Sequence, residues 1–145
     1  MLPNADGGTH SFNATLKTAG SQAITATDLQ AASITGSEAG ILVNPASASH
    51  LRITGPSSVK AGTAFSITVT AYDAYGNVAT GYRGTVSFKS SDPSATLPRS
   101  YTFTAADAGV HTFTGLIVKK KGTQTISITD TLDAMLAAKL TLSVL

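Results

Sequence analysis

Apolar and polar residues alternate without a break from Phe65 to Tyr72: Phe65, Ile67, Val69 and Ala71 fall on one side, Ser66, Thr68, Thr70 and Tyr72 on the other. Successive side chains of a strand point to opposite faces, so the stretch predicts a strand with one dry face and one wet face. Its β-branched and aromatic content suits a pleated, half-buried surface. The run ends in Asp73-Ala74-Tyr75-Gly76-Asn77, where Gly and the Asx residues supply a tight turn. A strand of this kind needs a second sheet to cover its apolar side.

Similar patterns recur along the chain. Phe12, Ala14 and Leu16 alternate with Asn13, Thr15 and Lys17 and predict a strand, followed by a turn at 18–21 and a second strand at 23–27. Ile34 and Ile41-Leu42-Val43 mark one or two more. The small, polar stretch 44–49 carries an Asn-Pro turn signal and reads as a linker. Beyond it, strands are predicted at 50–54, 65–72, 85–89, 101–104, 113–118 and 140–144, with a shorter extended piece at 78–83. Lys119-Lys120-Lys121-Gly122 reads as a hairpin tip, with Ile126 and Ile128 on the return strand. Residues 130–138 read as a loop or irregular strand. Short strands at roughly ten-residue spacing with turns between them spell an antiparallel sandwich.

The chain also repeats itself. Asp6, Gly8, His10 and Phe12 recur as Asp107, Gly109, His111 and Phe113, at a spacing of 101 residues. One residue later in register, Gly20-Ser21-Gln22-Ala23-Ile24 matches Gly122-Thr123-Gln124-Thr125-Ile126, and Thr27-Asp28 matches Thr129-Asp130. Leu2-Pro3 resembles Leu97-Pro98 across a gap. Residues 1–44 therefore read as the back half of one repeat and 45–145 as a complete one. A period near 100 residues is the size of a β-sandwich domain.

Composition narrows the function classes. Of 145 residues, 42% are hydrophobic and only 12% charged, as in a folded domain. Cysteine is absent, which leaves no disulfide or thiolate metal site and suits either a cytosolic protein or a surface protein that does without bridges. The net charge of +2 is spread thinly, so the clustered basic face of a nucleic-acid binder is missing. No apolar run approaches the roughly 20 residues of a membrane helix, so no membrane insertion is expected. Met1-Leu2-Pro3-Asn4 has neither a basic nor an apolar leader region, so an export signal, if used, is expected outside this sequence.

The pieces Val69-Thr70-Ala71-Tyr72-Asp73-Ala74-Tyr75-Gly76-Asn77 and Asp107-Ala108-Gly109-Val110-His111-Thr112-Phe113, in this order, resemble tandem bacterial immunoglobulin-like repeats related to invasin and intimin surface domains. The resemblance covers 49–144 in full and 6–44 as a partial repeat. It implies an all-β, immunoglobulin-like antiparallel β-sandwich in arrays at the bacterial cell surface or outside the cell. There such repeats act as stalks or adhesive spacers, with no catalytic residues to carry over.

Candidate chemistry is sparse. No nucleophile, phosphate-loop or Cys/His motif occurs, and Glu38 is the only glutamate, so no catalytic residues are expected. His10 and His111 recur with the repeat and read as structural residues bonded to a nearby loop. Calcium is the one cofactor considered, with Asp73, Asn77, Asp107 and Asp130 as hard oxygen ligands from converging turns, and Asp92 and Asp133 as further candidates. Those residue types are also the ordinary material of turns. Tyr75, Tyr82 and Asp92 are the candidates for a glycan-binding set. The lysine run reads as an edge that discourages strand pairing. Residues 1–44 are near the limit for independent folding and leave an apolar face with no opposing sheet, so the expected partners are neighbouring repeats or other copies of the chain. Either would complete the half repeat by strand donation, the latter giving a homo-oligomer or fibre.

Overall fold

The computed structural model describes residues 6–145, which fall into two compact units that divide between Val43 and Asn44. The Leu2-Pro3 match falls outside the described residues.

Among its described residues the first unit holds an antiparallel hairpin, β1 (Gly20–Thr27) and β2 (Thr35–Val43). Its register slips between Gln22 and Ile24, where β2 carries the extra residue and Gly40 adopts φ +70°. A left-handed glycine opposite a single partner residue is the usual way to absorb such an insertion. Residues 12–17, expected to form a strand, are not in one. Alternation makes a segment fit for a sheet, but backbone groups must find a neighbouring strand before a ladder exists.

The second unit holds β3 (His50–Thr54), β4 (Ser58–Val59), β5 (Phe65–Tyr72), β6 (Thr85–Ser90), β7 (Tyr101–Thr102), β8 (Val110–Leu116), β9 (Gly122–Asp130) and β10 (Ala137–Val144). They form two sheets, ordered β3-β5-β8 and β4-β10-β9-β6-β7. This is an immunoglobulin-like sandwich: of its six long strands, the first, second and fourth share one sheet and the third, fifth and sixth the other. Ile67, Val69 and Phe113 from the smaller sheet meet Val86, Ile126, Ile128 and Leu142 from the larger, with Phe103 between them, all buried. Burying each such side chain contributes about 1.5–3 kcal/mol before the cost of ordering it. The strands β4 and β7, at the edges of the larger sheet, are two residues each, which leaves little open ladder for another chain.

Three local expectations are corrected. The lysine run is not a hairpin tip, because β8 and β9 lie in different sheets and 117–121 crosses between them. Hairpin and crossover are indistinguishable in a local pattern; here Thr96 and Ile117 bridge the crossing. The extended piece at 78–83 is a single bridge from Tyr72 to Val78 followed by a turn that buries Tyr82. Residues 130–138 are the end of β9, a tight loop and the start of β10.

Candidate functional site

The candidate residues gather at the ends of the second unit, where strands hand over to loops. Asp73 follows the last residue of β5 and is fully buried. Its Oδ1 accepts the backbone N–H groups of Tyr75 and Asn77 at 2.9 Å each. Its Oδ2 accepts the Ala46 N–H and the Asn77 amide, also at 2.9 Å each. Burial is the largest single influence on this carboxyl and pushes its pKa up. The hydrogen bonds from Asn77, Ala46 and Tyr75 together outweigh it and hold the group at about 2. One carboxylate thus closes the loop after β5 and pins the incoming chain to it.

Asp130 does the same work at the end of β9. Its Oδ1 accepts the N–H groups of Leu132 and Asp133 at 2.8 and 3.1 Å, and its Oδ2 accepts the Tyr82 hydroxyl at 2.5 Å. Burial, then the hydrogen bond to Asp130 and the charges of Asp130 and Asp133, push the Tyr82 phenol well above its ordinary range. Gly84 lines this pair so closely that a Cβ there would collide with Asp130 Oδ2 and the Tyr82 ring and hydroxyl.

Asp107 closes the 3-10 turn Ala105–Asp107. Its Oδ2 accepts the Tyr101 hydroxyl and the Thr104 N–H at 2.8 Å each, and its Oδ1 lies 2.7 Å from His111 Nδ1. Burial opposes ionisation most strongly, yet bonds from Thr104, His111 and Tyr101 carry this carboxyl well below the usual range. The Tyr101 and His111 rings stack at 4.0 Å. Gly109, at φ +82°, passes so near Ala79 that a Cβ would sit 2.6 Å from its carbonyl oxygen. Only glycine fits both constraints.

Asp92 is buried elsewhere. Its Oδ2 accepts the N–H groups of Lys119 and Lys120 at 2.7 and 3.0 Å, and its Oδ1 that of Ser94 at 2.8 Å. The Lys120 and Lys119 bonds outweigh burial and lower its pKa.

Asp73, Asp107 and Asp130 share one end of the sandwich. Val69 and Thr70 of β5 pair with His111 and Val110, and Tyr82, on the loop leaving β5, reaches Asp130. Asp92 binds the residues before β9 and therefore lies at the other end, about 30 Å away for a nine-residue strand. The structure thus brings Asp73 and Asn77 into contact but does not bring Tyr75, Tyr82 and Asp92 together. Tyr75 is exposed, whereas Tyr82 and Asp92 are buried. Among the described residues, no group of His, Cys, Asp or Glu side chains converges as a metal site. The aspartates face N–H and O–H donors, the environment of a loop-closing anion.

The sequence reads these residues as turn material as well as candidate ligands, and the signal for the turns is local. An aspartate ends an alternating run in Tyr72-Asp73, Thr129-Asp130 and Thr27-Asp28, and Asx turns begin this way.

The first unit reproduces the loops of the second. Asp28 Oδ1 accepts the N–H groups of Gln30 and Ala31 at 2.7 and 2.9 Å, as Asp130 does those of Leu132 and Asp133. The Asp28 N–H donates to the Ile34 carbonyl at 2.9 Å, the Asp130 N–H to that of Leu136 at 2.8 Å. His10 Nδ1 lies 3.2 Å from Asp6 Oδ2, matching His111 and Asp107. Register agrees as well: Ile24 pairs with Glu38 as Ile126 pairs with Leu140.

No protein-family model matches the chain, and no curated protein does. Solved structures similar to it include the CARDB domain of the PF1109 protein from Pyrococcus furiosus. In solution it is 15% identical with a TM-score of 0.43, covering 66% of this chain and 93% of that one. The same domain in complex with di-metal ions is 16% identical with a TM-score of 0.41, covering 66% and 86%. Domains 4 and 5 of the S-layer protein SbsC are 20% identical with a TM-score of 0.45; the match covers 88% of this chain and 58% of that one. The sandwich assignment rests on the strand order and the buried layer described above.

Proposed function

We propose that this chain is a non-catalytic structural segment of a bacterial cell-surface or secreted protein, its complete unit serving as a spacer in a stalk. One observation carries the reading: the second unit takes the chain in at one end and releases it at the other. His50, the first residue of β3, pairs with Tyr72 at the Asp73 end of the sandwich. Val144, at the end of β10, pairs with Val59 and Gly122 at the opposite end. A module threaded in this way adds its own length, about 30 Å for strands of nine residues, to any chain that contains it.

The ends are fastened accordingly. Asp73 grips Ala46 where the chain enters, and the N–H groups of Ser143 and Leu145 donate to Ser57 and Val59 at 2.9 Å each where it leaves. The buried side chains of the unit serve core and loop closure, and its buried carboxylates accept backbone and side-chain donors of the same unit. Such a segment would assemble through strand completion of its first unit.

Small-angle scattering of proteins carrying one, two and three tandem copies of residues 44–145 tests the spacer. The maximum dimension should rise by a constant increment per copy. A dimension that stays flat as copies are added would sink the proposal.

A further inference from the structure

The first unit has the loops of a complete repeat without its cover. Phe12, Ile24 and Ile34 are 81%, 38% and 64% exposed, whereas Phe113, Ile126 and Leu136 are 6%, 0% and 7% exposed. In the second unit the cover comes from its own front half: β5 pairs with β8, β6 with β9, and Val69 and Val86 lie in the buried layer. The front half also delivers two hydroxyl donors, Tyr82 to Asp130 and Tyr101 to Asp107. Asp28 and Asp6 occupy the equivalent acceptor positions, yet residues 1–43 contain no tyrosine.

We infer that the first unit is a docking site for the front half of an immunoglobulin-like repeat, a segment of the type of residues 44–105. The inference rests on the repeat-module reading above and names its partner. The occupant lays a strand equivalent to β5 beside residues 12–17, which then become a strand themselves. It lays a second, equivalent to β6, beside β1. Its tyrosine hydroxyls donate to Asp28 and Asp6, and the ring of the second stacks on His10 as Tyr101 stacks on His111.

A second copy of the chain is the weaker occupant. Its own front half is already committed to its own β8 and β9. Its first unit would offer the same exposed apolar side chains and no tyrosine. Contact between two such faces would bury apolar surface but leave both sets of strands without ladder partners.

The test splices a copy of residues 44–105 directly ahead of Ala5, so that 5–145 follow unchanged. Hydrogen exchange, dye binding and melting are then compared with the parent chain. The expected result is a new cooperative transition, loss of the fluorescence of a dye for exposed apolar surface, and amide protection of β1 and β2 rising to that of β9 and β10. Replacing the added copy's first-docking tyrosine (its Tyr82→Phe) or introducing Asp28→Asn should each lower the new transition. Combined, they should lower it by less than the sum, while the transition of the second unit stays in place as a folding control. Unchanged exchange in β1 and β2 overturns the inference. So does protection that vanishes on dilution, which assigns the face to a second copy. Either failure leaves the spacer reading standing, since that depends only on how the second unit is threaded.

Discussion

The Tyr82 hydroxyl donates to Asp130 Oδ2 at 2.5 Å, joining the loop after β5 in one sheet to the end of β9 in the other. Both residues are buried. Removing the donor leaves a carboxylate oxygen buried without that partner, which costs more than an ordinary hydrogen bond returns. Tyr82→Phe should therefore destabilise the second unit by about 1–3 kcal/mol in chemical denaturation. A loss near zero would mean that the bond closes nothing.

Gly84→Ala should be worse than Tyr82→Phe. The added methyl would occupy the space of Asp130 Oδ2 and the Tyr82 ring and hydroxyl, so the bonded pair would have to come apart or shift as a whole. Since both changes strike one contact, the double variant should lose less than the two single losses added together. Equilibrium unfolding of the four proteins decides it.

Acid should unfold the second unit by a defined route. Asp73, Asp92 and Asp107 all have folded pKa values below the ordinary carboxylate value. A depressed folded pKa contributes stability in full above the unfolded value near 4, and that stability is lost as pH falls through the folded value. Stability should hold at neutral pH and decline below about pH 4, with Asp73 giving way near pH 2. Asp73→Asn should lower the neutral-pH stability and flatten the acid decline. Melting temperature against pH reads both, and an unaltered acid decline in the variant would contradict the assignment.

Equivalent isoleucines should respond differently to truncation. Ile126 is fully buried and Ile24 is not. Ile126→Ala removes packed methyls and leaves a cavity, at about 2–5 kcal/mol. Ile24→Ala should cost under about 0.5 kcal/mol in the chain as it stands, and should approach the Ile126 value only once the first unit is covered. Denaturation of both variants, with and without the spliced front half, measures the difference.

Local geometry was legible in the residues. The alternation at Phe65 to Tyr72 specified β5 and the side that holds Ile67, Val69 and Ala71 in the core, because side-chain direction in a strand depends only on the parity of position; the other side is less wet than the pattern implies, with Thr70 buried too. The internal repeat located the hairpin of the first unit, whose register agrees with that of β9 and β10 from Ile24 to Thr27 and differs by one residue before the bulge. Less legible were features that join distant segments. The lysine run looked like a hairpin tip because residues on either side cannot reveal which sheet they will enter. Tyr82 and Asp92 looked like surface groups because their partners lie 48 and 27 positions away.

The sequence by itself determined the long strands of the second unit, most of their dry faces and the equivalence of two back halves, since each follows from short-range pattern and repetition. Only the tertiary structure decided which strands share a sheet, which aspartates are closed by distant donors, and that residues 12–17 form no strand. A backbone ladder and a buried carboxylate are both made between segments. Phe12 and Phe113 carry the same local message, and only the presence of β5 beside one of them makes it part of a core.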